Sequence, residues 1–256
     1  MGKRINKYKG YLYKIIKEII NLIYPVRCPV CDDIIARRGS LCHKECYEKL
    51  VRIKEPLCKK CGKMIEDESI EYCFDCTNKK KIFVEGRAVF LYDSLMKNSI
   101  SAFKYKSKKE YGIFYAKEII KWLGDYIKDK NIDAIIPVPI YKDKLKTRGY
   151  NQADIIAKII GKELNIKVLS KALIRTTNTA PQKELNNIQR FRNLNNAFDI
   201  NMSFLDLLEP SIELNNILII DDIYTTGATI NNCAKVLKKY KNVNVYYVAV
   251  SIGQGK

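Results

Sequence analysis

The sequence predicts an α/β fold, a mostly parallel twisted sheet flanked by helices, preceded by a small cysteine-rich module. Three observations predict it. The run Ile217-Leu218-Ile219-Ile220 reads as a strand buried on both faces. It passes through Asp221-Asp222 into a hydroxyl- and glycine-bearing turn, and an apolar pattern resumes at helical spacing with Ile230, Cys233, Ala234 and Leu237. A second apolar run, Ala134 to Val138, stops at Pro137 and Pro139 ahead of another helical pattern. Eight of the nine cysteines fall into four close pairs between residues 28 and 76. At 256 residues the chain has room for a full α/β domain and a smaller module, and its 47% hydrophobic content is that of a folded chain. The expected divisions are a basic amphipathic helix over 1–27, a cysteine module over 28–80 and the α/β domain over 81–256.

In the first segment seven Lys or Arg stand against the single Glu18, while Leu12, Ile15, Ile16, Ile19, Ile20, Leu22 and Ile23 recur at helical spacing. Such a helix docks on the rest of the fold or lies on a membrane surface, and docking is the favoured reading. Lys14, Lys17 and Glu18 interrupt the apolar run, so it predicts neither a secretory signal nor a transmembrane span. A cytoplasmic location is expected.

The cysteine pairs are Cys28/Cys31, Cys42/Cys46, Cys58/Cys61 and Cys73/Cys76, and Cys233 is left over inside a later apolar helix. Two or three residues between thiolates bring both to one metal, and two such knuckles complete a tetrahedral site. Eight cysteines therefore predict two structural zinc ions. Sequential pairing is simplest and a crossed arrangement stays open. His43, the only histidine, adjoins Cys42 and could replace it as a ligand, although Cys42 is the assigned one. Disulfides would need an oxidising compartment.

Further on, Val84–Tyr92 reads as a strand or hairpin, and Leu95–Lys106 and Glu110–Ile127 as helices. Lys104-Tyr105-Lys106-Ser107-Lys108-Lys109 interleaves basic and aromatic side chains. It could contact nucleic acid, and a solvated helix end is the favoured reading. After Pro139 a loop carries Lys142, Lys144, Lys146 and Arg148, then Gly149 and a helix from about Asn151. Residues 171–200 show little regular pattern, with Arg175, Thr179, Gln182, Arg190, Arg192 and Asn193 spread through them. Such a stretch is a lid or is disordered, and beside a crevice that must exclude water a lid is the expected reading. Lys238 and Lys239 end the helix after the glycine turn, and Val243–Val250 reads as a final strand.

A buried strand, a polar turn with Gly227 and a helix N-terminus make an anion cradle, in which backbone N–H groups and the helix dipole converge. Thr225, Thr226 and Thr229 add hydroxyls. Asp221 and Asp222 would repel a phosphate but suit the vicinal hydroxyls of a ribose whose 5-phosphate sits in the turn. Ligands in such sheets lie outside the carboxyl ends of the strands, so the basic segment ending at Arg148 is expected to face the same crevice.

Residues 217–229, aliphatic strand, Asp-Asp and Thr-Thr-Gly-x-Thr, resemble the phosphoribosyl pyrophosphate (PRPP) signature of type I phosphoribosyltransferases. Together with the paired cysteines, Pro137-Val-Pro139, Arg148-Gly-Tyr-Asn-Gln152, Thr179-x-x-Gln182 and Arg190-x-x-Asn-Leu-x-x-Ala-Phe198, the chain resembles the competence protein F (ComF/ComFC) family from Cys28 to its end. The resemblance implies a double zinc ribbon and a type I phosphoribosyltransferase fold, with a link to DNA uptake and recombination in natural transformation. It implies that Asp221 and Asp222 hold the ribose hydroxyls. Thr225, Thr226, Gly227, Ala228 and Thr229 would hold the 5-phosphate, and Arg148 would serve the pyrophosphate of Mg²⁺-bound PRPP. Asp221, Asp222 and Arg148 are thus the expected catalytic residues.

Two functional classes stay open. One is a phosphoribosyltransferase, in which a nitrogen nucleophile displaces pyrophosphate. The other is a non-catalytic PRPP-sensing adaptor that binds single-stranded DNA or competence proteins such as a helicase of the uptake machinery. The formal charge of +18 raises nucleic acid as a partner, but lysine is abundant throughout and charge alone does not define a binding face.

Overall fold

The computed structural model describes residues 25–36, 39–177, 197–205 and 214–254. The basic helix expected over 1–27 lies outside the described residues except for its last three, as do Thr179, Gln182, Arg190, Arg192 and Asn193 of the expected lid. The chain forms two compact units, residues 1–49 and 50–256.

The described residues of the smaller unit form a cysteine knuckle followed by α1 (Lys44–Glu48). Its turn closes with bonds from Cys28 N–H to the Asp33 carbonyl and from Asp32 N–H to the Cys28 carbonyl, both 2.9 Å. Asp32 takes a positive φ of 65° there.

The larger unit opens with a second knuckle and α2 (Phe74–Asn78), followed by β1 (Gly86–Leu91), α3 (Ser94–Tyr105) and α4 (Tyr111–Asp129). Then come β2 (Ala134–Pro137), α5 (Lys142–Arg148), α6 (Gln152–Leu164) and β3 (Lys167–Val168). After β4 (Leu173–Arg175), β5 (Phe198–Ile200) and α7 (Met202–Leu205), the chain ends in β6 (Asn216–Tyr224), α8 (Ala228–Tyr240) and β7 (Asn244–Ile252). Five strands form a parallel sheet in the order β1-β7-β6-β2-β3. β6 is central, and its Ile217, Leu218, Ile219 and Ile220 are all at most 2% exposed, which is why they read as an unbroken apolar run. From β6 the chain crosses to β7 on one side, whereas β2 leads to β3 on the other, so the connections diverge beside the carboxyl end of β6.

Helices cover both faces. α4 and α6 pack on each other, α4 against β1 and α6 against β2 and β6, while α8 lies against β5 and β7. The apolar face of α8 (Ile230, Cys233, Ala234, Leu237) joins Ile217, Ile219, Val245 and Tyr247 in one core with Cys58, Cys61, Cys73 and Phe83. The second knuckle thus belongs to the core of the larger unit.

Two expectations need correction. The basic segment after Pro139 is helical from Lys142 to Arg148 and closes at Gly149, where φ is +79° and the Gly149 N–H reaches the Leu145 carbonyl at 2.8 Å. Within 171–200 two short strands pair antiparallel, with Leu173 opposite Ile200 and Arg175 opposite Phe198. Strands of three residues are too short to leave a periodic trace.

Candidate functional site

Asp221 and Asp222 lie within β6, two residues before its end, and Thr225 and Thr226 form the exposed turn that follows. Gly227 caps α8 with φ +75°, ψ 7°, and Ala228 and Thr229 open its first turn. No side chain among the described residues caps this helix, so its leading N–H groups are free to meet an anion. Gly227 is doubly required. Its φ is strained for an L side chain, and a Cβ there would sit 2.3 Å from the Tyr224 hydroxyl oxygen. Gly227→Ala is expected to cost about 1–3 kcal/mol from overpacking and strain, read as a lowered denaturant midpoint together with weaker anion binding.

The carboxylates are not equivalent. Asp222 is 7% exposed, and the Lys104 ammonium touches both its oxygens at 2.8 Å. Burial would push the Lys104 pKa down, but Asp222 more than reverses this and raises it. Asp221 is partly exposed and accepts the Asp222 N–H at 2.8 Å. Desolvation and then the Asp222 charge push its carboxyl up to about 7.

Opposite this pair the structure gathers cations. Arg148, at the end of α5, stands over the Tyr105 ring with 5.1 Å from guanidinium carbon to ring centre, and donates to the Gln152 amide oxygen. Lys104, Lys144, Thr147 and Arg148 line one cavity of about 350 Å³. Lys144 is pushed down by burial and then by Arg175, Arg148 and Lys104, as expected where cations crowd with too few counter-ions. Arg148 thus borders the same cavity as Lys104, which binds Asp222. Sequence reasoning left Lys104 on a solvated helix end, and its ion pair corrects that. Nothing local signals a partner 118 positions away.

The segment from Arg148 to Gln152 is a positioning device. Gly149 ends α5, the Tyr150 hydroxyl donates to the Phe103 carbonyl, and Asn151 caps α6 while its amide donates to the Val138 carbonyl at 2.9 Å. Arg148 is thereby fixed relative to β2 and to the helix that carries Lys104.

Both cysteine clusters are formed. Cys58, Cys61, Cys73 and Cys76 place their sulfurs within 4.8 Å of one another. Hydrogen bonds from Cys61, Cys73 and Cys76 hold the Cys58 thiol well below its ordinary pKa, and four sulfurs gathered about one point fit a dication. In the first cluster the mutually close donors are Cys28, Cys31, His43 and Cys46. Cys42, the residue assigned from sequence, is outside that group, with its sulfur 3.6 Å from that of Cys28. The two knuckles repeat at an offset of thirty residues: 28, 31, 43 and 46 against 58, 61, 73 and 76. Backbone bonds repeat with them, Asp32 to Cys28 as Gly62 to Cys58 and Ile35 to Val26 as Ile65 to Pro56. His43 and Cys73 both cap the following helix with extended backbone. The donor sets fit two structural zinc ions.

A double zinc ribbon domain profile matches residues 19–77. The chain is 27% identical over 241 residues to competence protein ComFC of Bacillus subtilis, covering 87% of this chain and 93% of that protein. It is 27% identical over 217 residues to competence protein F of Haemophilus influenzae, covering 83% and 91%. With the DNA utilization protein YhgH of Escherichia coli O6:H1 it shares 35% identity over 105 residues, 41% of this chain and 43% of that one. No helix among the described residues is long and apolar enough to cross a membrane. Along most of its length the chain is thus a homologue of competence proteins ComFC and F, with a double zinc ribbon match over residues 19–77.

Proposed function

We propose that the larger unit binds PRPP and transfers its phosphoribosyl group, in a protein whose cellular role lies in DNA uptake. The observation that carries this reading is the pairing of Asp221 and Asp222 with an uncapped helix N-terminus on one side and a crowd of cations on the other. A ribose 5-phosphate pyrophosphate has this distribution of groups: diol, monoester and diphosphate. The carboxylates accept from the ribose hydroxyls, the amides from Gly227 to Thr229 donate to the 5-phosphate, and Lys104, Lys144 and Arg148 face the diphosphate. Lys104 must share its ammonium between Asp222 and the ligand. Loss of pyrophosphate generates positive charge on the ribose, which the Asp221 and Asp222 carboxylates stabilise by position and charge, so no strong base is required. Mg²⁺ would neutralise the diphosphate. Among the described residues no third acidic group joins Asp221 and Asp222, so the site fits Mg²⁺ carried in by PRPP more than a protein-held ion. Pyrophosphate release from Mg²⁺-PRPP across a panel of bases and amines tests transfer. Turnover with an acceptor, lost in Asp221→Ala, supports it. Binding without turnover would move the protein to the adaptor class, with the name of its DNA utilization relative YhgH pointing to DNA.

The adaptor reading has its own observation. A groove of about 530 Å³ is lined by Arg52, Lys54, Arg87, Trp122 and Tyr126. Arg52 covers the Trp122 ring at 4.0 Å and Arg87 the Tyr126 ring at 5.3 Å. Guanidinium planes on aromatic rings give bases a surface to stack on and give phosphates a counter-charge. Trp122 is the sole tryptophan, so its fluorescence reports the groove. Oligo(dT) is expected to quench it with strong salt dependence, and Arg52→Ala/Arg87→Ala to weaken binding by about tenfold or more. A flat response at low salt would exclude this face.

For zinc we propose Cys28, Cys31, His43 and Cys46 in the first site and Cys58, Cys61, Cys73 and Cys76 in the second. His43 Nδ1 lies 3.3 Å from the Cys31 sulfur while Nε2 lies 3.3 Å from the Ile34 carbonyl, the outer contact that fixes a metal-binding tautomer. His43→Ala is expected to bind one equivalent of zinc and Cys42→Ser two, by metal analysis of the purified chain.

A further inference from the structure

We propose that the second cysteine knuckle is the scaffold that sets the shape of the phosphate cradle, acting through Tyr247, Tyr224 and Lys81. Metal occupancy at Cys58, Cys61, Cys73 and Cys76 is then linked to anion binding at Gly227. The link to PRPP rests on the reading of the cradle given above, but the scaffold itself does not.

Two physical routes run from the knuckle to the same short turn. The first is a column of rings. The Tyr247 hydroxyl, fully buried, donates to the Cys61 carbonyl at 2.7 Å. The Tyr247 ring stacks on Tyr224 with centres 4.6 Å apart and planes 5° from parallel, and Phe83 packs edge-on against both. Tyr224 ends β6, three residues after Asp221, and its hydroxyl oxygen fills the space where a Gly227 Cβ would stand. Close-packed rings transmit displacement because they have no room to absorb it.

The second route is the chain leaving the knuckle. Lys81 Nζ donates to the Thr226 carbonyl at 2.7 Å, and the Ile82 N–H donates to the Asn231 side chain at 2.6 Å. In a trans peptide the C=O and N–H point in opposite directions. Holding the Thr226 carbonyl toward Lys81 therefore turns the Gly227 N–H the other way, and so sets one of the cradle's donors. Asn231 sits in the first turn of α8, where its own N–H bonds the Gly227 carbonyl at 2.8 Å. A core needs buried rings, but it does not need a half-buried lysine and a side-chain amide tied to the two ends of one six-residue stretch, Thr226 to Asn231.

With the metal gone, four thiols no longer share a centre and the Cys61 carbonyl is free to move. The buried Tyr247 hydroxyl then loses its partner, and the column shifts. Reciprocity requires that an anion in the cradle hold the metal more tightly.

The test uses the zinc-loaded full chain with Lys81→Ala, Lys81→Arg and Tyr247→Phe, reading backbone hydrogen exchange, zinc content, melting temperature and Mg²⁺-PRPP affinity. In Lys81→Ala the amides from Gly227 to Asn231 are expected to exchange about tenfold faster at unchanged zinc content and melting temperature, with PRPP bound about tenfold more weakly. Lys81→Arg should restore both. Tyr247→Phe should speed exchange at the same amides and hasten zinc extraction by a chelator from one of two sites, and PRPP should slow that extraction in the wild type. Unchanged exchange at these amides in both Lys81→Ala and Tyr247→Phe would overturn the scaffold. If the wild type fails to bind PRPP, the ligand assignment falls, and the exchange readout still decides the scaffold.

Discussion

Asp221→Asn is expected to lose about 10- to 150-fold in PRPP affinity, the cost of one or two charge-assisted hydrogen bonds to the ribose diol. The loss should depend on pH, since the carboxyl is pushed up to about 7 by desolvation and by Asp222. Only the ionised form accepts from both hydroxyls. Wild-type affinity should therefore climb from pH 6 to pH 8, and the variant should lack that component. Stability runs the opposite way. A carboxyl whose folded pKa is raised contributes stability that is fully present below its unfolded value near 4 and is lost as pH rises through about 7. Asp221→Asn should thus be the more stable protein above pH 7, with its advantage gone below about pH 4. Parallel affinity profiles for the two proteins would remove Asp221 from the site.

Cys61→Ser is expected to have the largest effect on folding. A structural zinc that binds only the folded state contributes on the order of 10 kcal/mol, comparable with the whole stability of a domain. The second knuckle shares its core with Phe83, Tyr224, Tyr247 and α8, so its loss is felt throughout the larger unit. The variant should carry one zinc and melt at least about 10 °C below the wild type. Cys233→Ala, which removes an equally buried sulfur outside both clusters, should keep two zinc ions and lose only about 1–2 kcal/mol of core packing. Equal losses in the two variants would mean that the cluster does not hold metal.

The strand, turn and helix from Ile217 to Leu237 were legible because each element leaves a local signature: a doubly buried aliphatic run, a glycine at positive φ, and apolar spacing of three and four. The helices over 94–105 and 111–129 were legible for the same reason. What was missed is long-range or irregular. α5 is seven residues of mostly charged side chains with none buried, so it has no amphipathic trace. The Lys104–Asp222 pair and the Lys81–Thr226 bond join positions more than a hundred residues apart. His43 is different, because its signal was present. The spacing 28, 31, 43, 46 repeats 58, 61, 73, 76 position for position, and pairing by cysteine alone hid it. A repeat comparison would have placed His43 opposite Cys73 and Cys42 opposite Tyr72, which carries no donor of that kind.

The most direct test of the proposed site is a calorimetric titration of the zinc-loaded chain with Mg²⁺-PRPP, and separately with ribose 5-phosphate and with Mg²⁺-pyrophosphate. Carboxylates, cradle and cation cluster on one crevice predict that both halves bind, that each competes with PRPP, and that PRPP binds more tightly than either. Absence of PRPP binding, or tight pyrophosphate binding that ribose 5-phosphate neither joins nor displaces, would contradict it.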